Sequence, residues 1–209
     1  MTAPLIVAGV DVGGPRKGFH AVALRDGAYM AHWASADALA IAKWCQGIGA
    51  RIVGVDAPCR WSTTGRARPA ERSLMQERIW CFSSPTRAVA EAHPKGHFNW
   101  MRAGAELFRC LERDRPLYAG GPVADDARLC FETFPHAATC ALRGEVASAR
   151  DKRKDRLALV TQAGINLPQR PVMDTIDAAL CALVAQYLAR NRVRCFGDAE
   201  SGFIVVPDV

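Results

Sequence analysis

The chain has 209 residues and a mass of 22.7 kDa, enough for one domain or one domain carrying a large insertion, and too little for two full nucleotide-binding lobes. Half of the residues are hydrophobic and 23% are charged, which supplies a real core and excludes a wholly disordered chain. Lys and Arg outnumber Asp and Glu by 27 to 21, and the resulting +6 permits a polyanionic partner without requiring one.

In chain order, residues 1–10 carry no basic leader, and their apolar run stops at Asp11, the pattern of a buried strand rather than a signal peptide. Residues 5–12 (LIVAGVDV) therefore predict a central strand that breaks into Gly13-Gly14-Pro15. Residues 19–24 and 29–33 predict two further strands joined by the turn Arg25-Asp26-Gly27, so the first three form an antiparallel meander. Helical spacing over 36–46 ends at Gly47, and 51–55 (RIVGV) predicts a fourth, buried strand ending at Asp56-Ala57-Pro58. From 59 to 128 Arg and Trp are mixed with Gly and Pro, with helical patches at 68–78 and 98–113, the texture of an insertion or cap. Residues 129–134 (LCFETF) resume the strand pattern. A charged helix over 149–163, an Ala/Leu-rich helix over 173–191 and a short strand over 202–206 close the chain. Three antiparallel strands and a helical crossover to a strand parallel to the first give a mixed α/β sheet with helices on its faces.

The eight cysteines are too sparse for a disulfide-built scaffold and contain no CxxC pair, so reduced thiols and a cytoplasmic setting are expected. The apolar stretch 178–189 is interrupted by Gln186 and is too short to span a bilayer.

Five acids fall where packing alone would rarely put them. Asp11 and Asp56 each close an apolar strand, and Glu132 sits inside LCFETF. Asp174 and Asp177 are three apart on a helix face that also carries Leu180, Cys181, Val184 and Leu188, so that face turns toward the sheet. If the first and fourth strands are parallel neighbours, Asp11 and Asp56 emerge at one sheet edge. Buried carboxylates this close need protons or a cation, and oxygen-only ligands select Mg²⁺ or Mn²⁺. Two such ions roughly 3.5–4 Å apart would bracket a phosphodiester. Taken singly, Asp56 could cap a turn, and Asp174 and Asp177 could stabilise a helix N-terminus. The joint pattern favours the metal reading, and Asp11 is the hardest of the five to explain locally.

VAGVDVGG, IVGVDAP, ETFPHAA, KRKDRLALVTQAGI, DTIDAALCALVA and GFIVVP, in this order and spacing, resemble the family known as domain of unknown function 429, described as predicted nucleases of RNase H-like fold. The resemblance covers nearly the whole chain. It implies an RNase H-like five-stranded mixed sheet of order 3-2-1-4-5, with 59–128 inserted between the fourth and fifth strands of a single domain. It also implies metal-holding acids at Asp11, Asp56, Asp174 and Asp177, a layout similar to that of Holliday-junction resolvases, with Glu132 in the strand-plus-Pro motif. VDVGGPRKG after the first strand departs from the family's commonest form.

The leading expectation is a metal-dependent nuclease with Asp11, Asp56, Glu132, Asp174 and Asp177 as its catalytic set. Lys17, Arg60, Arg68, Arg72, Arg87, Arg102, Lys152 and Lys154 are the candidates for holding nucleic acid. Cations beside Trp61, Trp80, Phe82 and Trp100 suit a single strand, although buried aromatics with exposed arginines would read the same. On 152–156, the interleaved Asp151 and Asp155 favour a solvated helix face. Two alternatives are an actin-like phosphoryl-transfer protein using the Gly13-Gly14 loop, for which no second lobe is present, and a non-catalytic binding module. His93 and His97 have metal-like spacing, but Pro94 and Gly96 break the helix that would align them. His136 is a candidate proton shuttle or a structural histidine. No nucleophile elbow or Walker A loop occurs.

Overall fold

The structure, a computed structural model, describes residues 3–148 and 150–209. Its first three strands, β1 (Ile6–Val12), β2 (Phe19–Arg25) and β3 (Ala28–Ser35), form the antiparallel meander, with Asp11 opposite His20. Asp37 caps α1 (Ala38–Gly47) by accepting from the Leu39 amide, and this crossover delivers β4 (Ile52–Asp56) parallel to β1. The 59–128 segment holds α2 (Pro69–Gln76), α3 (Arg87–Ala92) and α4 (Asn99–Leu111). The fully buried Arg115 ties its far end to the α1–β4 turn by donating to the carbonyls of Cys45 and Ala50. Then follow β5 (Leu129–Thr133), α5 (Pro135–Arg143), α6 (Lys152–Gln162), α7 (Met173–Ala189), β6 (Val193–Asp198) and β7 (Gly202–Pro207).

The sheet has seven strands in the order β3-β2-β1-β4-β5-β7-β6, so the five-stranded expectation is corrected. The order of the first five holds. The added strands are the C-terminal hairpin, with β7 parallel to β5 and β6 antiparallel beyond it. The physical reason is edge protection: the β6–β7 hairpin pairs the edge β5 would otherwise leave open, and the new edge strand β6 carries Arg194 outward. The expected helix over 149–163 starts on Ala149, outside the described residues, and the helix itself runs Lys152–Gln162. Among the described residues no helix is long and apolar enough to cross a membrane.

The pleat divides the sheet into two cores. Val7, Ile52 and Phe131 pack with α7 on one face, whereas Ala8, Val10, Val53, Val55 and Cys130 pack with α1 and α4 on the other. β1 and β4 share the sequence Gly-Val-Asp and pair in register, with Gly9 beside Gly54 and Asp11 beside Asp56. The two glycines let the α7 backbone rest directly on the strands. A Cβ on Gly9 would overlap the Ala182 amide nitrogen and the Ala178 carbonyl, and one on Gly54 would stand 2.7 Å from the Cys181 carbonyl. Gly9→Ala is therefore expected to lift α7 and cost about 1–3 kcal/mol, the usual penalty of overpacking. Urea unfolding measures it, and a wild-type midpoint would show that α7 is not held at this distance.

Candidate active site

The side-chain period of two puts Asp11 on the face of Val7 and Gly9, and Asp56 on the face of Ile52 and Gly54, so both acids point toward α7 at the C-terminal end of their strands. α7 lies so close there that Asp177, at its N-terminal end, acts on both carboxylates, and Asp174 acts on Asp11. The result is a compact, largely buried set of acids. Burial first, and then the charges of Asp177 and Asp174, push Asp11 up to about 7. Burial, Asp11 and Asp177 push Asp56 well above the carboxylate range. Burial also raises Asp177, against the pull of Arg156.

Two cations of the chain balance the α7 acids. Lys17, on the loop after β1, donates through Nζ to both oxygens of Asp174 at 2.9 and 3.1 Å, and that hydrogen bond raises its own pKa. His20 Nε2 lies 3.8 Å from the same carboxylate. The buried Arg156 donates from Nη1 to Asp177 Oδ1 at 2.6 Å, while its Nε has no partner. Lys17 and Arg156 engage the outer pair, and among the described residues no three His, Cys, Asp or Glu side chains are gathered to hold an ion.

Glu132 is not brought to this set. On β5, Phe131 faces α7, so its neighbour Glu132 faces the other side with Cys130. There it accepts from the Cys59 amide at 2.8 Å and from both terminal nitrogens of Arg68 at 2.6 and 2.9 Å. Its charge still reaches Asp56. Arg68, expected to hold nucleic acid, is instead only 2% exposed and locked between Glu71 and Glu132, out of reach of any substrate.

The other candidate cations are distributed differently. Lys17, Arg72, Arg87, Arg102, Lys152 and Lys154 are exposed. Arg60 pairs with Glu112 at 2.8 Å and Arg87 with Glu91 at 2.8 Å. Lys152 is near enough for its charge to act on Asp177. The Gly13-Gly14 loop is poorly suited to hold phosphate, since the amides of Gly13, Lys17 and Gly18 all donate to carbonyls of the loop itself. His136 is half-buried, and burial together with the charge of Arg156 lowers its pKa.

His20 is a member of this site that the sequence did not single out, and Arg156, expected with Lys152, Arg153 and Lys154 on a solvated face or along a phosphate backbone, is buried here instead. Arg156 had one signal: with Val160 it forms the buried i, i+4 stripe of α6, which a solvated helix face should not contain. His20 had none, since its place depends on the β1–β2 register.

The profile of the family described as "Protein of unknown function (DUF429)" matches residues 9–201, a span that includes every acid above. The chain belongs to this family. No curated protein matches it. Among solved structures, the "Thermus thermophilus RuvC structure" is similar at 13% identity and a TM-score of 0.46, covering 90% of this chain and 96% of that one. In this DUF429 member the matched segment runs from Gly9, under α7, to Ser201 in the β6–β7 turn, so the carboxylate set and both of its counter-cations lie inside it.

Proposed function

We propose that this DUF429 protein is a nuclease of RNase H-like fold that hydrolyses phosphodiester bonds of nucleic acid with a divalent metal ion. Its whole chain is read as one domain, with 59–128 as the insertion. The observation that carries the reading is the Asp11–Asp56 pair, in register on adjacent parallel strands beneath Asp177, with both pKa values raised by burial and by the charge of Asp177.

The donor chemistry fits a hard dication. Two neighbouring buried carboxylates are costly without a positive charge between them, and oxygen donors alone select Mg²⁺ or Mn²⁺. Asp11 and Asp56 would hold it, and Asp174 or Asp177 could join if Lys17 or Arg156 moved to a phosphate. When bound, such an ion lowers the pKa of water and stabilises the leaving oxygen. The chain's own groups do the rest. The exposed Lys17 can exchange Asp174 for a phosphate oxygen. All eight cysteines are free thiols, in keeping with a cytoplasmic protein.

Cleavage of labelled single-stranded, duplex and branched DNA and RNA in Mg²⁺ or Mn²⁺ is the direct test. Activity should fall by about a hundredfold or more in Asp56→Asn. Independently of turnover, Mn²⁺ should raise the melting temperature of the wild type and leave Asp56→Asn unchanged. No cleavage together with no metal-induced shift would overturn the proposal, and stabilisation by ATP in its place would return phosphoryl transfer.

A further inference from the structure

Two cavities border successive parts of the 56–61 segment and of α4. The smaller, about 50 Å³, has Asp56, Pro58, Phe82 and Trp100 in its lining, together with Glu71 and Glu132, whose carboxylates Arg68 neutralises. The larger, about 680 Å³, is lined by the next residues of the same segment, Cys59–Trp61, and by the following turns of α4. The 56–61 segment thus forms a track that runs from Asp56, beside Phe82 and Trp100, to the arginine-lined cavity.

The rings are exposed more than packing requires. Phe82 is 64% exposed and Trp80 72%. The Phe82 ring is nonetheless held in place. It stands edge-on to Trp100 at 5.9 Å and to His97 at 6.3 Å, and His97 in turn packs on Phe98 at 4.8 Å. A ring held by its neighbours and still this exposed offers a stacking surface.

The larger cavity carries the complementary charge. Five arginines and three glutamates line it; Arg60, Arg87 and Arg109 pair with Glu112, Glu91 and Glu106. Arg102 and Arg113 make no ion pair among the described residues, which leaves two guanidinium groups available for phosphates.

We propose that this track takes an unpaired stretch of nucleic acid: a base displaced from its helix stacks on Phe82 beside Asp56, and the adjoining phosphates lie against Arg102 and Arg113. The proposal rests on the reading of Asp11 and Asp56 as the cleavage site. A duplex keeps its bases stacked on each other and would offer this track only phosphates, leaving the aromatic face unused.

The test is binding without cleavage, using the full chain in EDTA and fluorescein-labelled oligo-dT or a duplex of equal length, read by anisotropy and tryptophan emission. Oligo-dT should bind at least about tenfold more tightly than duplex and quench tryptophan emission. Phe82→Ala should weaken oligo-dT binding about tenfold while leaving duplex binding unchanged, and Phe82→Tyr should restore it. Arg102→Ala with Arg113→Ala should flatten the salt dependence. Equal affinity for single strand and duplex, or an unchanged affinity in Phe82→Ala, would overturn the proposal. So would self-association removed by Phe82→Ala with oligo-dT affinity intact, which would make the rings a protein interface. The two readings fail separately. Duplex cleavage without single-strand preference removes the track and leaves the nuclease, whereas oligo-dT binding with no cleavage of any substrate leaves the track and removes the nuclease.

Discussion

Replacing Arg68 with alanine is expected to destabilise the protein by about 3–5 kcal/mol, the cost of stranding buried charge. Three side chains are involved, each at most 5% exposed: Arg68, Glu71 and Glu132. One guanidinium serves two carboxylates. Its Nε donates to Glu71 at 2.9 Å, its terminal nitrogens take both oxygens of Glu132, and Nη1 also reaches the Ser201 carbonyl at 3.3 Å. Burial opposes the charge of Arg68, but the two glutamates outweigh it and hold its pKa above the ordinary range. Arg68 thereby joins the start of α2 to β5 and to the β6–β7 turn. The loss should appear as a lower urea midpoint at an unchanged slope. Adding Glu132→Gln to Arg68→Ala removes one of the two stranded charges and should recover about 1 kcal/mol or more. A single-variant loss below about 1 kcal/mol would mean that water reaches the carboxylates.

The same residues mark where the sequence is readable and where it is not. Asp11 and Asp56 are legible because an acid ending a β-branched run breaks the local pattern, and the matched Gly-Val-Asp of β1 and β4 sets both at one level of the sheet. Glu132 breaks its run in the same way, yet it serves an ion pair on the opposite face. Only the partner strand and the pleat decide which face an acid takes, and a five-residue strand does not carry that information. Asp174 and Asp177 are readable from their helical spacing. Their counter-cations are not: Lys17 is 157 residues from Asp174, and Arg156 sits among charges that resemble a solvated surface. β6 is hidden for a different reason. As an edge strand it is half exposed, with Arg194 outward and only Phe196 buried, so it lacks the apolar run that marks a central strand. α5, with Pro135 in its first turn and Gly144 just past its end, carried legible start and stop signals around a segment too short to show a clear apolar period.

Asp11→Asn is expected to abolish cleavage and, above pH 7, to make the protein more stable than the wild type. The sign follows from the raised carboxyl. Asp11 titrates near 7 in the folded protein against an ordinary value of 3.8, so between those limits the native state holds a proton that the unfolded chain has released. Unfolding free energy therefore falls as pH rises through that window, and the full penalty is present above it. At about 1.4 kcal/mol per unit, the whole shift corresponds to roughly 4 kcal/mol, and Asp56 adds a penalty of the same sign. Asparagine carries no charge at any pH, so its stability curve should lack this slope. The variant should melt on the order of 5–10 °C above the wild type at pH 8, and the gap should shrink by pH 5, where the native carboxyl is already protonated. A divalent cation should close the gap from the other side by stabilising the ionised wild type alone. Parallel melting curves from pH 5 to pH 8 would refute the argument. A protein selected only for packing would not keep two such acids side by side beneath a helix, and the stability given up at Asp11 and Asp56 is what a carboxylate pair maintained for chemistry should cost.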